Sequence, residues 1–299
     1  MSVKPPTYNR QRLLLFFLEQ AGGSLGKIDF HKLLFLYLQE ARANHYAFVP
    51  YRFGCYSFLA ADDLDLLHKR GWLEKGHHDL RLKSPIALLP WVRENPEREA
   101  VRVWLKGKTI RGQALVREVY RHYPYYAINS EIKNQLLDEQ ELALVHQAAT
   151  RPVSGSNTVF TIGYEGLHFE EYVNKLIRSG VQLLCDVRNN PLSRKFGFSQ
   201  RSLSTLLPKF GIEYLHLPEL GIDSRNRKQL KTDHDYEILF QDYRDSLPEK
   251  KAGLARLLKQ FMKHRRIALT CFEREPQKCH RHCISDYLAR HNKITVRHL

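Results

Sequence analysis

The sequence predicts two domains of different class: an α+β domain over residues 1–150, and an α/β domain with a mostly parallel sheet over residues 158–299. Three observations predict it. Helical patterns dominate the first half. Strands and helices alternate in the second, the grammar of a parallel sheet with helices on both faces. Between them, residues 146–158, HQAATRPVSGSNT, are small and polar, with Pro, Gly and Ser and no apolar periodicity, which is linker composition. At 299 residues each half is long enough to bury a core of its own.

In the first half, NRQRLLLFFLEQAGG reads as a helix with Asn9 as N-cap and a Gly pair as stop. KIDFHKLLFLYLQEARA places Ile28, Leu33, Leu34, Leu36 and Tyr37 at helical spacings. YSFLAADDLDLLHKRGWLEK predicts a third helix ending at Gly71 and then a short strand, and HDLRLKSPIALLP a returning strand. Three helices and a two-stranded ribbon are the ingredients of a winged helix. FVPYRFGCYSFLAADDLDLLHKRGWLE resembles the winged-helix domains of bacterial regulators and defence proteins, over about residues 9–90. That resemblance implies nucleic-acid binding, with DNA favoured, or alternatively a protein–protein contact. Residues 110–145 predict an accessory helical hairpin, with Tyr120, Tyr123, Tyr125 and Tyr126 as packing residues rather than a base-stacking platform.

In the second half, NTVFTIGY and VQLLCDVR are apolar strand runs separated by HFEEYVNKLIRSG, an amphipathic helix stopped by Gly180. SQRSLSTLLPKFG is a helix with Ser199 as N-cap, and IEYLHL a short strand. Helices over about 234–246 and 249–264 follow. RRIALTCF is then a strand, CHRHCISDYLARH a helix and KITVRHL a final strand.

Apolar residues make up 43% and charged residues 26%, the composition of a soluble globular protein. No run of about 18 apolar residues predicts a membrane span, and the N-terminus lacks a signal-peptide pattern. Five cysteines with no framework spacing point to free thiols in a reducing, cytoplasmic setting. The net charge is +15, with 22 basic against 16 acidic residues up to position 155 and 25 against 16 beyond it. Such a balance suits a polyanionic partner, nucleic acid first.

Parallel sheets bind ligands beyond the carboxyl ends of their strands. That rule collects Tyr164 and Glu165 after the first strand, Asp186, Arg188, Pro191, Ser193 and Arg194 after the second, and Cys271 and Glu273 after the RRIALTCF strand. Cys279, His280 and Arg281 then open the next helix. Three chemistries compete for this set. For zinc, Cys279 and Cys283 are four apart and Cys271 lies eight upstream, but paired CxxC-type knuckles are missing, so no metal is expected. For redox, there is no CxxC, and Cys283 reads as a small buried hydrophobe. For an anion pocket, the helix start at Gln277–Arg281 offers backbone N–H groups and a positive dipole end. Tyr164, Arg188, Ser193, Arg194, His280 and Arg281 are the candidate anion- or nucleotide-binding residues. Asp186 and Glu273 are candidate acid–base groups, or holders of those arginines. Cys279, with a thiol pKa lowered by the helix terminus, and Cys271 are candidate nucleophiles. The anion pocket is the preferred reading, and no cofactor is expected.

TIGYEG, LLCDVRNNPLSRKFGFSQRSL, GIEYLHLPELG and TCFEREPQKCHRHCISDYL, in that order, resemble the family called domain of unknown function 488, over about residues 158–299. The resemblance implies a Rossmann-like α/β fold. It also implies that Asp186, Arg188, Pro191, Ser193, Cys271, Glu273, Cys279, His280 and Arg281 define the family's site. His282 and Cys283 fall outside the family pattern, and no reaction comes with the resemblance. The reading that follows is a nucleic-acid- or nucleotide-directed enzyme, hydrolysing a phosphoester or an N-glycosidic bond. One alternative is a DNA-binding regulator that senses an anionic ligand; another is a cysteine-dependent sulfur-transfer or redox enzyme. Phage defence or DNA repair would suit this architecture by analogy.

Overall fold

Leu13 to Leu18 are all fully buried, because a helix that is apolar all round has to sit at the centre of its domain. The computed structural model describes residues 4–149, 157–223, 232–291 and 294–299. The chain divides into two compact units, Met1–Thr150 and Arg151–Leu299. Residues 150–156 of the expected linker lie outside the described residues.

The first unit runs α1 (Asn9–Gln20), β1 (Ser24–Gly26), α2 (Lys27–Ala41), β2 (Val49–Tyr51), β3 (Gly54–Tyr56), α3 (Phe58–Lys69), β4 (Leu73–Lys75) and β5 (Asp79–Leu82). It continues with α4 (Pro90–Arg93), α5 (Pro96–Lys106), α6 (Gly112–His122), α7 (Lys133–Leu136) and α8 (Glu139–Ala149). Asn9 is not the N-cap: Tyr8 holds that position and its carbonyl accepts from the N–H groups of Gln11 and Arg12. Asn9 is the first helical residue, and its side chain accepts from Arg12. The third helix does end as expected before Gly71, and Ser57 caps its start by accepting from Ala60 N–H.

The expected two-stranded ribbon is a three-stranded antiparallel sheet in the order β1–β5–β4. Each strand buries a leucine: Leu25, Leu80 or Leu73. A separate hairpin, β2–β3, lies between α2 and α3. Residues 110–145 form no simple helical hairpin, because a 3-10 turn at Pro124–Ala127 and the one-turn α7 separate α6 from α8. The tyrosines there pack as expected. Tyr120 is buried with its hydroxyl 2.7 Å from Ser130 Oγ, and the rings of Tyr123 and Tyr126 lie edge-on to Phe35.

The second unit alternates β6 (Thr158–Gly163), α9 (Phe169–Arg178), β7 (Leu183–Asp186), α10 (Gln200–Leu206) and β8 (Glu213–His216). It then runs α11 (Asp233–Ser246), α12 (Lys251–His264), β9 (Arg266–Cys271), α13 (Arg281–His291) and β10 (Thr295–His298). Five strands form one parallel sheet in the order β10–β6–β9–β7–β8. This is the α/β Rossmann-like architecture expected of the second half. Ser199 caps α10 as expected, and Gly180 takes the left-handed conformation that stops α9.

The connections from β6 and β7 step towards β8, whereas those from β8 and β9 step back. Right-handed crossovers therefore place α9 and α10 on one face and α11, α12 and α13 on the other. The side chains agree. Val159, Cys185, Ile267 and Leu269 pack with Leu257, Phe261, Ile284 and Leu288, while Tyr172 of α9 donates to Thr270 on the opposite face. β9, whose connection steps back, lies between β6 and β7, whose connections step towards β8, so the crevice at its carboxyl end is where a ligand site is expected.

Candidate functional site

Parallel register brings Gly163, Cys271, Asp186 and His216 to one edge of the sheet, since Gly163 pairs Cys271, Thr270 pairs Asp186, and Asp186 pairs His216. The chain leaving β9 folds directly over β6. A Cβ on Gly163 would collide with the carbonyl of Glu273, so only glycine allows this approach. The N–H groups of Tyr164 and Glu165 donate to Phe272 O, and the Glu165 carboxylate accepts from Arg274 N–H. Glu273 is thereby held at the strand end, half-buried.

On the α9 side of β9 lies a charged network. Asp186 is fully buried and takes a bidentate bond from Arg188, Nε to Oδ1 at 2.8 Å and Nη2 to Oδ2 at 2.5 Å. Tyr214 Oη donates to Oδ2 at 2.7 Å, and the Arg188 backbone N–H donates to Oδ1. Arg188 Nη1 donates to Tyr164 Oη and to Phe198 O, and Tyr164 stacks flat on Phe198 at 4.4 Å. Burial acts to lower the Arg188 pKa, but its bonds to Asp186 outweigh that and hold it above the ordinary value. Burial, reinforced by the Asp186 charge, pushes the Tyr214 hydroxyl up. The expected acid–base group and the expected anion donor are thus committed to each other.

Arg281 is also turned inward. It is 1% exposed and donates through Nη1 to Glu273 O and through Nη2 to Arg274 O. It clamps the loop that carries Glu273 and presents no fork to an external phosphate. Of the other expected anion binders, Arg194 is exposed, and Ser193 Oγ accepts from Lys195 N–H within its own loop.

On the α13 side of β9 three candidates do converge. Cys271, Cys279 and His280 are all buried, and one ligand atom from each lies within 4.8 Å of the others. His280 Nδ1 is 3.8 Å from both Sγ atoms, and His280 Nε2 is 2.9 Å from Val187 O. Cys271 Sγ donates to Glu273 Oε2 at 3.2 Å. Cys279 does not sit at a helix terminus that could lower its thiol pKa, contrary to expectation. A 3-10 turn at Pro276–Lys278 comes first, Cys279 is extended, and α13 begins only at Arg281. Burial, with Cys271 and Glu273 adjacent, pushes the Cys279 thiol up instead. Cys283 stands apart, as a buried residue expected to act as a small hydrophobe; its thiol is pushed up to about 11 by burial.

Three features escaped the sequence reading. His216 Nε2 lies 2.8 Å from Arg188 O and ties β8 into the network. A cleft of about 950 Å³ beside Asn189 carries Glu219, Asp223 and Asp242, a lining that repels phosphate. In the first unit a cavity of about 760 Å³ is lined by His31, Lys32, Tyr56 and Lys75. Burial and the neighbouring lysines push His31 down to about 3, and Lys32 donates to Cys55 O at 3.0 Å. The only signal for this cavity in the sequence was polar residues on the otherwise apolar face of KIDFHKLLFLYL.

The family model described as Domain of unknown function DUF488 matches residues 168–288. This supports the resemblance of the second half and spans both sides of the strand-end site. No curated protein and no solved structure matches the chain. Among the described residues, no helix is long and apolar enough to cross a membrane.

Proposed function

We propose that the chain is a nucleic-acid-directed hydrolase, docking on DNA or RNA through its first unit and acting at the Cys271–Cys279–His280–Glu273 cluster of its second. The observation that carries this reading is the convergence of those side chains at the switch point of a parallel sheet. The net charge of +15 supports a polyanionic substrate.

The element order α1–β1–α2–α3–β4–β5, with sheet order β1–β5–β4, supports a winged helix in which β4–β5 is the wing. The exposed face of α3 carries Asp62 and Asp65, which oppose a phosphate backbone. Lys75, Arg81 and Lys83 lie along the wing, and we assign the docking surface there rather than to α3. Replacing Arg81 and Lys83 by Glu is expected to weaken oligonucleotide binding at least ~10-fold and to flatten its dependence on salt. Binding that is unchanged in that variant but strengthened by Asp62→Asn/Asp65→Asn would move the interface to α3. For the chemistry, a panel of single- and double-stranded DNA and RNA oligonucleotides is incubated with wild type and Glu273→Gln, and the products are separated by mass. Cleavage by wild type alone is the expected result; no cleavage of any member by wild type rejects the hydrolase.

A second reading has its own observation. The cavity lined by His31 and Lys32 offers a ligand site within the nucleic-acid-binding unit, as a sensor would need. In that case a nucleotide or another anion alters oligonucleotide affinity without being consumed.

A further inference from the structure

We propose that Cys271, Cys279 and His280 bind one divalent metal ion of the zinc class, an assignment that rests on the strand-end cluster being the chemical centre.

The backbone fixes how the His280 imidazole is turned. Val187 O can only accept, so His280 Nε2 carries the hydrogen and donates to it at 2.9 Å. In the neutral ring Nδ1 then holds a lone pair, and it is Nδ1 that faces both sulfurs. A backbone carbonyl that fixes the far nitrogen is the usual outer support of a metal-bound histidine. The spacing fits as well. With Zn–S of about 2.3 Å and Zn–N of about 2.0–2.1 Å, tetrahedral geometry sets ligand atoms roughly 3.5–3.8 Å apart. The two S···N separations are 3.8 Å each. Two thiolates and an imidazole select a soft or borderline ion over magnesium or calcium.

The three ligands come from elements fixed by the fold. Cys271 ends β9, where it pairs with Gly163. Cys279 and His280 lie between a 3-10 turn and α13, and Arg281 ties that segment back to the Glu273 loop through the carbonyls of Glu273 and Arg274. With three protein ligands the fourth position stays open to water, as in catalytic rather than structural zinc sites. Glu273 Oε2 lies 3.2 Å from Cys271 Sγ, next to one of the three ligands, and is assigned as the proton acceptor. The ion lowers the pKa of the bound water. Its proton passes to Glu273 while the oxygen forms a bond to the ester phosphorus or glycosidic carbon. The bond to the leaving oxygen or nitrogen breaks, and that atom takes the proton from Glu273.

The test uses the full chain, stripped of metal under reducing conditions and titrated with Co(II) as probe, then with Zn(II) in competition. About one equivalent of Co(II) should bind. It should give a thiolate-to-cobalt charge-transfer band and the intense visible bands of a tetrahedral site, both abolished by one equivalent of Zn(II). Cys271→Ser, Cys279→Ser and His280→Ala should each weaken binding on the order of 100-fold or more. Cys283→Ser, outside the cluster, and Glu273→Gln should keep the spectrum. Because a ligand variant can fail to fold, the wild-type spectrum decides independently: no charge-transfer band, or weak octahedral bands alone, overturns the proposal. So does a full spectrum in folded Cys279→Ser. Metal binding without cleavage of any oligonucleotide rejects the hydrolase but keeps the metal site; cleavage by metal-free protein keeps the hydrolase and removes the ion from its chemistry.

Discussion

On one side of β9, Asp186, Arg188, Tyr164 and Tyr214 answer one another's hydrogen bonds. On the other, Cys271, Cys279 and His280 bring three metal-ligating atoms together with a half-buried carboxylate at the edge. Both groups lie at the carboxyl ends of the same strands, and both consist of residue types associated with catalysis. The difference is one of atom type and spacing. A buried aspartate with a bidentate arginine and a tyrosine hydroxyl forms a complete set, which explains the local fold without any ligand. The sulfur–imidazole group has the geometry of a coordination shell. Proximity to strand ends therefore does not assign chemistry; which atoms meet there, and at what spacing, does.

Breaking the charged side should have the largest effect. Asp186→Asn leaves Arg188, 6% exposed, without its counter-charge, and is expected to cost about 3–5 kcal/mol. Urea unfolding followed by far-ultraviolet circular dichroism checks this, and a fully stable variant would return Asp186 to the acid–base candidates. Gly163→Ala should cost less than Asp186→Asn, about 1–3 kcal/mol, because its methyl group forces the Glu273 carbonyl away. It should also weaken Co(II) binding, linking the glycine to the cluster. Tyr214→Phe removes one bond to the buried carboxylate and is expected to cost about 1.5–3 kcal/mol in the same assay.

The smallest effect per step lies in the first unit and depends on pH. His31 is pushed down to about 3 in the folded chain, from about 6.5 when unfolded. Its contribution to stability is thus complete above about pH 6.5 and is lost as the pH falls towards 3, by at most about 1.4 kcal/mol per unit. Trp72, Trp91 and Trp104 all lie in that unit, so their fluorescence reports it alone. His31→Phe should flatten the slope, and an unchanged slope would place the titration elsewhere.

Much of the second unit was legible in the sequence because its signals are local. Apolar runs such as TVFTIG mark buried strands, Gly180 stops one helix and Ser199 starts another. In the first unit Ser24–Gly26 carries no alternating pattern and becomes a strand only because β5 pairs with it. The site was legible as a list of residues but not as an arrangement. Nothing in DVR or CHR says whether an arginine points outward to an anion or inward to a carboxylate or carbonyl; tertiary packing decides that. The metal-like cluster has no CxxC knuckles to mark it in the sequence, because its atoms come from a strand end and a helix start rather than from two such loops.

The division of labour across β9 is tested most directly by a double-mutant cycle. Unfolding free energies and Co(II) affinities are measured for Asp186→Leu, Arg188→Met and the double replacement in the full chain. Each single change strands one buried charge, whereas the double removes both. The double variant should recover more than half of the loss caused by either single change and bind Co(II) like wild type. A double variant that is folded but has lost Co(II) binding, or that is no more stable than the worse single, would contradict that division of labour.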